Sequence, residues 1–145
     1  DMIFHNRHLT ITDIREMGQY TFGNLPGREH FSKNAQPGDI VVTGKNFGAG
    51  SSRQQAVDCF ISLGIKAVIA NSFGAIYERN AINAAFPVLT YDSFKKIDLK
   101  DQDVITVNLL TGDVTNERNG LTMTINPFYD AQYEIYMKGG LLGKI

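Results

Sequence analysis

Residues 38–91 alternate short apolar runs with helix-length segments, and that order restricts the fold more than any other feature of the 145-residue chain. GDIVVT (38–43) reads as a buried strand, followed by a glycine-rich loop over 44–50. Residues 51–63 read as a helix, because Ala56, Val57, Phe60 and Leu63 recur at helical spacing. Gly64 is placed to stop it. IKAVIA (65–70) is a second apolar strand, and Asn71 or Ser72 leads into a second helix over 73–85, ended by Pro87. PVLTY (87–91) is a third strand. Short connections in this order favour a parallel sheet with right-handed crossovers.

The texture changes after residue 100. VITVNL, Thr111-Gly112, Asn119-Gly120 and LTMTI predict hairpins, hence an antiparallel second half. PFYDAQYEIYMKGG (127–140) predicts a C-terminal helix stopped by Gly139-Gly140. Its Tyr129, Tyr133 and Tyr136 form a stripe suited to core or subunit contact. Thr12 can cap a short helix through Tyr20. Residues 21–37 read as a mobile connection. With no internal repeat or convincing linker, the expectation is one mixed α/β domain over 1–145.

Composition narrows the functional classes. Apolar residues make up 43% and charged residues 20%, as in a globular protein, and the net charge of -1 gives no general attraction to nucleic acid or anionic lipid. No apolar run approaches the ~20 residues of a membrane span, and no signal peptide is visible. A single cysteine, Cys59, forms no disulfide within the chain and points to a cytoplasmic setting. It also falls short of the several thiolates an iron–sulfur cluster takes. His5, His8 and His30 lack zinc-type spacing, so no metal site is expected in this chain.

The segment GKNFGAGSSRQQ (44–55) carries the chemistry. It joins the carboxyl end of a strand to a helix N-terminus, where unpaired N–H groups attract anions. Small residues at 48–50 admit a ligand close to the backbone. Ser51 and Ser52 can cap and donate, and Arg53 offers a forked donor suited to a carboxylate or phosphate. Arginine in a first helical turn opposes the helix dipole, and a bound anion would offset it. Two readings stay open on spacing alone: an anion site, or a shaped turn with a serine N-cap and a solvated arginine. No Walker loop, GxGxxG or GxSxG pattern is present.

GKNFGAGSSRQQAVDCFISLGIKAVIANSFGAIYERNAINAAFPVLT resembles the swivel domain of the aconitase superfamily. Within it, the chain is most similar to the separate small subunits of 3-isopropylmalate dehydratase and homoaconitase. The combination of NFGxGSSR, GIKAVIA and SFGxIYxRNAIN carries the resemblance, which is densest over 38–91. Many relatives have cysteine where this chain has Ala49, a position that is not a cluster ligand in the family.

The resemblance implies a swivelling β/β/α domain: a parallel central sheet with helices plus an antiparallel second sheet. It implies reversible dehydration and rehydration of a hydroxy-polycarboxylate. The [4Fe–4S] cluster is then carried by a large-subunit partner, with none bound by this chain. Ser51 matches the catalytic serine base. Asp1 matches an aspartate that reaches the active site, and a β-strand is expected to be missing before it. Ser52, Arg53, Arg7 and Gly50 match the substrate-binding groups. The segment 3–11, with Phe4, His5, Asn6, His8 and Leu9, matches the loop that selects the substrate's variable side chain. Asn80 and Asn83 are expected to order the serine loop.

The expected function is therefore the small subunit of a dehydratase, 3-isopropylmalate dehydratase first. Homoaconitase or another alkyl-malate or citrate-like dehydratase is the alternative substrate class. A non-catalytic anion-binding module is the alternative of a different kind.

Overall fold

The computed structural model describes residues 36–49, 54–128 and 130–137. The run over 38–91 folds in the expected order: β1 (Ile40–Thr43), α1 (Gln55–Leu63), β2 (Ala67–Ala70), α2 (Ala75–Asn83) and β3 (Val88–Thr90). The three strands are parallel and neighbour one another in chain order. The elements are shorter than the sequence predicts. β1 starts after Gly38, which has φ +92°. β3 ends at Thr90, where Asn126 forms an isolated antiparallel bridge.

Two apolar layers use the alternation of side chains along each strand. Val41, Val68 and Val88 stand side by side in register on one face and meet α1 and α2 through Val57, Phe60 and Ala81. Ile69 and Leu89 point the other way, into a second cluster with Ile97, Val114 and Phe128. All four residues of β2 are buried, which is why IKAVIA has no polar alternation. Both helices lie on one face, as two right-handed crossovers require.

The second face is covered by β4 (Ile105–Val107), β5 (Asp113–Asn116) and β6 (Thr122–Thr124), an antiparallel sheet in chain order. Gly112 and Gly120 carry positive φ in its two turns. Each turn is longer than a two-residue hairpin. Asn108 Oδ1 accepts from the backbone N–H groups of Leu110 and Thr111, and Asn119 Oδ1 accepts from that of Leu121. The order from outside in is helices, parallel sheet, antiparallel sheet, which is the expected β/β/α arrangement.

The C-terminal helix, α3, spans Asp130–Met137. Its Gln132 Nε2 donates to the Val88 carbonyl at 3.0 Å, and Tyr133 and Tyr136 pack on the second cluster. Two of the three stripe tyrosines are thus core contacts, and Tyr129 lies outside the described residues. So do the expected helix from Thr12 to Tyr20 and most of the connection 21–37.

Candidate functional site

Gly44 to Ala49 leave the carboxyl end of β1, the edge at which ligands settle in open α/β sheets. Residues 71–74 leave the neighbouring end of β2, and the two segments pair. Asn71 N–H donates to the Gly44 carbonyl at 3.1 Å, Phe47 N–H to Ser72 O at 3.0 Å, and Gly74 N–H to Phe47 O at 2.9 Å. Phe47 and Phe73 form a parallel bridge beyond the sheet proper. Thr43 pairs with Ala70, so the first segment holds one residue more than the second. Asn46 absorbs it with φ +56°, a left-handed conformation that asparagine tolerates.

Side chains lock this pairing. Asn46 N–H donates to Ser72 Oγ at 2.8 Å, and the Ser72 hydroxyl lies 3.4 Å from Asn46 Oδ1. Asn71 Nδ2 donates to the carbonyls of Tyr91 and Asp92 at 3.0 and 3.1 Å. Tyr91 Oη donates to Thr43 O at 3.1 Å. The carboxyl ends of all three strands are thereby tied together. Asn71 and Ser72, one or other of which was expected to lead into α2, spend their side chains here, and Gly74 takes the N-cap with extended dihedrals and no side-chain cap.

Glycines set the closeness of the fit. A Cβ on Gly74 would lie 2.8 Å from Ala49 Cα, and one on Gly48, whose φ is +78°, would lie 2.3 Å from Tyr77 Cγ. Phe47 reaches inward from the loop, with its ring edge-on to Tyr77 at 5.5 Å and 6.1 Å from Phe60. Tyr77 is 1% exposed, and its hydroxyl donates to Ala56 O at 3.2 Å. Burial, with the neighbouring Cys59 adding, pushes that hydroxyl well above the ordinary tyrosine range, so it stays a donor.

On the helix side, Gln54 has helical dihedrals and makes no side-chain cap. Its Nε2 instead donates to Asp58 Oδ1 at 3.1 Å. Burial pushes the Asp58 carboxyl up, and this amide donation opposes the shift. Cys59 is fully buried on the inner face of α1, its Sγ 3.6 Å from Ala56 O, so it presents no sulfur to a cofactor. Among the described residues no group of three His, Cys, Asp or Glu is arranged to hold a metal.

The anticipated site residues Ser51, Ser52, Arg53, Gly50, Asp1 and Arg7 lie outside the described residues, as do Phe4, His5, Asn6, His8 and Leu9. What the structure describes is the frame on either side of residues 50–53. Asn83 is the last residue of α2 and lines a groove that runs from Ala75 along that helix to Ile135 of α3; the serine loop that Asn80 and Asn83 are expected to order lies outside the described residues. The frame residues missed by sequence reasoning are Phe47, Ser72, Gly74 and Tyr77. For the first three the signal was the echo between Asn46-Phe47-Gly48 and Ser72-Phe73-Gly74, too short to count as a repeat; Tyr77 stands outside it.

A concavity of about 420 Å³ among the described residues lies at the opposite, amino edge of the strands. Lys66 is its one titratable lining residue, so it lacks the convergent polar groups of a reaction site.

A family model described as the aconitase C-terminal domain matches residues 15–94, a span that holds both paired segments. The chain is 40% identical over 142 residues to the 3-isopropylmalate dehydratase small subunit 1 of Archaeoglobus fulgidus, covering 98% of this chain and 86% of that one. It is 36% identical, over 98% of this chain and 80% of the relative, to the methanogen homoaconitase small subunit of Methanothermobacter thermautotrophicus. The crystal structure of a 3-isopropylmalate dehydratase from Methanocaldococcus jannaschii superposes with a TM-score of 0.88 at 34% identity. That match covers 99% of this chain and 83% of the other.

Proposed function

The chain belongs to the aconitase C-terminal domain family, and on that premise we propose that it is the small subunit of a two-chain hydro-lyase, 3-isopropylmalate dehydratase. The observation that carries this reading is similarity over nearly the whole chain to small subunits of that enzyme. It is supported by the frame at the carboxyl edge of the parallel sheet, which holds the chain just before residues 50–53.

In this reading Ser51 Oγ, as alkoxide, takes a proton from the substrate carbon. The electron pair left behind forms the C=C bond as hydroxyl departs from the neighbouring carbon, and rehydration on the other carbon completes the isomerisation. Serine is far too weak an acid to work unaided. Loop amides, the N-terminus of α1 and the Arg53 guanidinium supply the positive surroundings that an alkoxide needs. The same donors stabilise charge that develops on the substrate. Ser52, Arg53, Arg7 and Gly50 hold substrate carboxylate, and Asp1 enters from the front segment. Phe4, His5, Asn6, His8 and Leu9 face the variable side chain.

The Lewis acidity that draws off the hydroxyl belongs to a [4Fe–4S] cluster on the large subunit. This chain's single, buried cysteine does not fit the cluster's thiolate demand. We place the pair in the cytoplasm, with the isolated chain inactive.

The test is anaerobic reconstitution with the large subunit. Turnover of 3-isopropylmalate is expected, with none from either chain alone. Turnover of homoaconitate or another tricarboxylate in its place would favour the second reading, which the homoaconitase relative supports. Anion binding without any partner or turnover would leave the non-catalytic module.

A further inference from the structure

We infer that Tyr77 is a positioning residue for the segment that carries Ser51, an inference that rests on Ser51 being the base. Tyr77 touches the chain on both sides of residues 50–53. Before them, its ring lies directly under Gly48, at a distance that leaves no room for a Cβ. After them, its hydroxyl donates to the carbonyl of Ala56 in the first turn of α1. Phe47 and Phe73 hold the ring from two further sides, edge-on at 5.5 Å and stacked at 6.3 Å.

The hydroxyl is the informative atom. The two rings packed on Tyr77, those of Phe47 and Phe73, belong to phenylalanine, as do Phe60 and Phe86 in the same buried cluster. A core that needed only an aromatic volume at 77 would be filled equally well by another. A buried tyrosine hydroxyl must find a partner, and the one it finds fixes where α1 begins relative to the glycine loop. The Ala56 carbonyl also accepts from the Cys59 thiol at 3.6 Å, so the tyrosine bond is not its sole contact and the helix is expected to stay folded without it. Its loss frees the start of α1 to shift against Gly48. A base held by the span between those two points loses its aim, and misplacement of a reacting group by about 1 Å can cost roughly a hundredfold in rate.

The experiment uses Tyr77→Phe, which removes the hydroxyl and keeps the ring. In the reconstituted enzyme kcat is expected to fall about tenfold with KM within about twofold of wild type. In the full-length chain alone, hydrogen exchange is expected to quicken in peptides covering 49–57 and stay unchanged in those covering β2 and β5. An unchanged kcat in the active enzyme overturns the inference, as does exchange that rises equally in β5. A wild-type pair that turns over no hydroxy acid would sink the functional reading instead, and faster exchange confined to 49–57 would still support the clamp.

Discussion

At the carboxyl edge of β1–β3, polar side chains join one connecting segment to the next. In the β4–β6 sheet they close on themselves. There, fully buried Asn116 donates to Ile97 O at 3.0 Å and to Asp103 Oδ2 at 3.1 Å, and accepts from Arg118 N–H. Arg118 Nε donates to Asp103 Oδ1 at 2.8 Å and Nη2 to Asp98 O at 2.6 Å. Asn119 adds a bond to Ile97 O. Facing outward, Thr106, Thr115 and Thr122 sit in register across the three strands, and Thr106 bonds Glu117. A knot whose members satisfy one another rigidifies the sheet and keeps little capacity for a ligand. The β1–β3 edge uses its polar groups to set the segments 44–49 and 71–74 against each other.

That contrast can be tested by where a substitution shows its effect. Ser51→Ala has the largest. In the reconstituted enzyme kcat should fall on the order of a thousandfold with KM little changed, as for loss of a proton-transfer group. Wild-type turnover would refute the base assignment. Arg53→Lys should raise KM about tenfold, because a fork becomes a point charge, and unchanged KM and rate would count against the clamp on carboxylate.

Paired glycine substitutions separate the halves. Gly48→Ala and Gly112→Ala each place a Cβ against fixed atoms at positive φ, the second 2.0 Å from Ile125 O. Each should cost about 2–4 kcal/mol in denaturant unfolding. Below the melting transition Gly48→Ala should also lower kcat, whereas Gly112→Ala should not. Equal kcat in the two would mean that the halves are not divided as described. Asn116→Ala strands buried partners and should cost about 1–3 kcal/mol, again with kcat preserved in the folded enzyme.

The smallest effect concerns pH. The Arg118 hydrogen bond, aided by the Lys100 N–H, holds the Asp103 carboxyl at about 2, whereas an unfolded aspartate titrates near ~3.9. Between these values the unfolded chain binds more protons. The stabilisation is therefore complete above the unfolded value and is lost as pH falls towards the folded one. Asp103→Asn should flatten that acid limb in a pH series of unfolding curves. A limb as steep as wild type would show that Asp103 does not supply it.

Local chemistry made most of the architecture legible beforehand. Helical spacing in 55–63, unbroken burial in β2 and the left-handed stop at Gly64 (φ +76°) all depend on near neighbours. The change to antiparallel pairing was marked by turn residues at 112 and 120. The serine–arginine motif was equally plain as a motif. Pairing between 44–49 and 71–74 was a different matter, because it joins residues some 25 apart whose partners no periodicity reveals. Asn71 and Ser72 show the limit most clearly: each is a good N-cap by local preference, yet each is drawn to a carbonyl or loop that folding brings alongside, and Gly74 takes the cap. No local pattern marked Tyr77; packing alone sets its ring under Gly48 and its hydroxyl on Ala56. Such roles depend on three-dimensional proximity, which spacing along a chain does not encode.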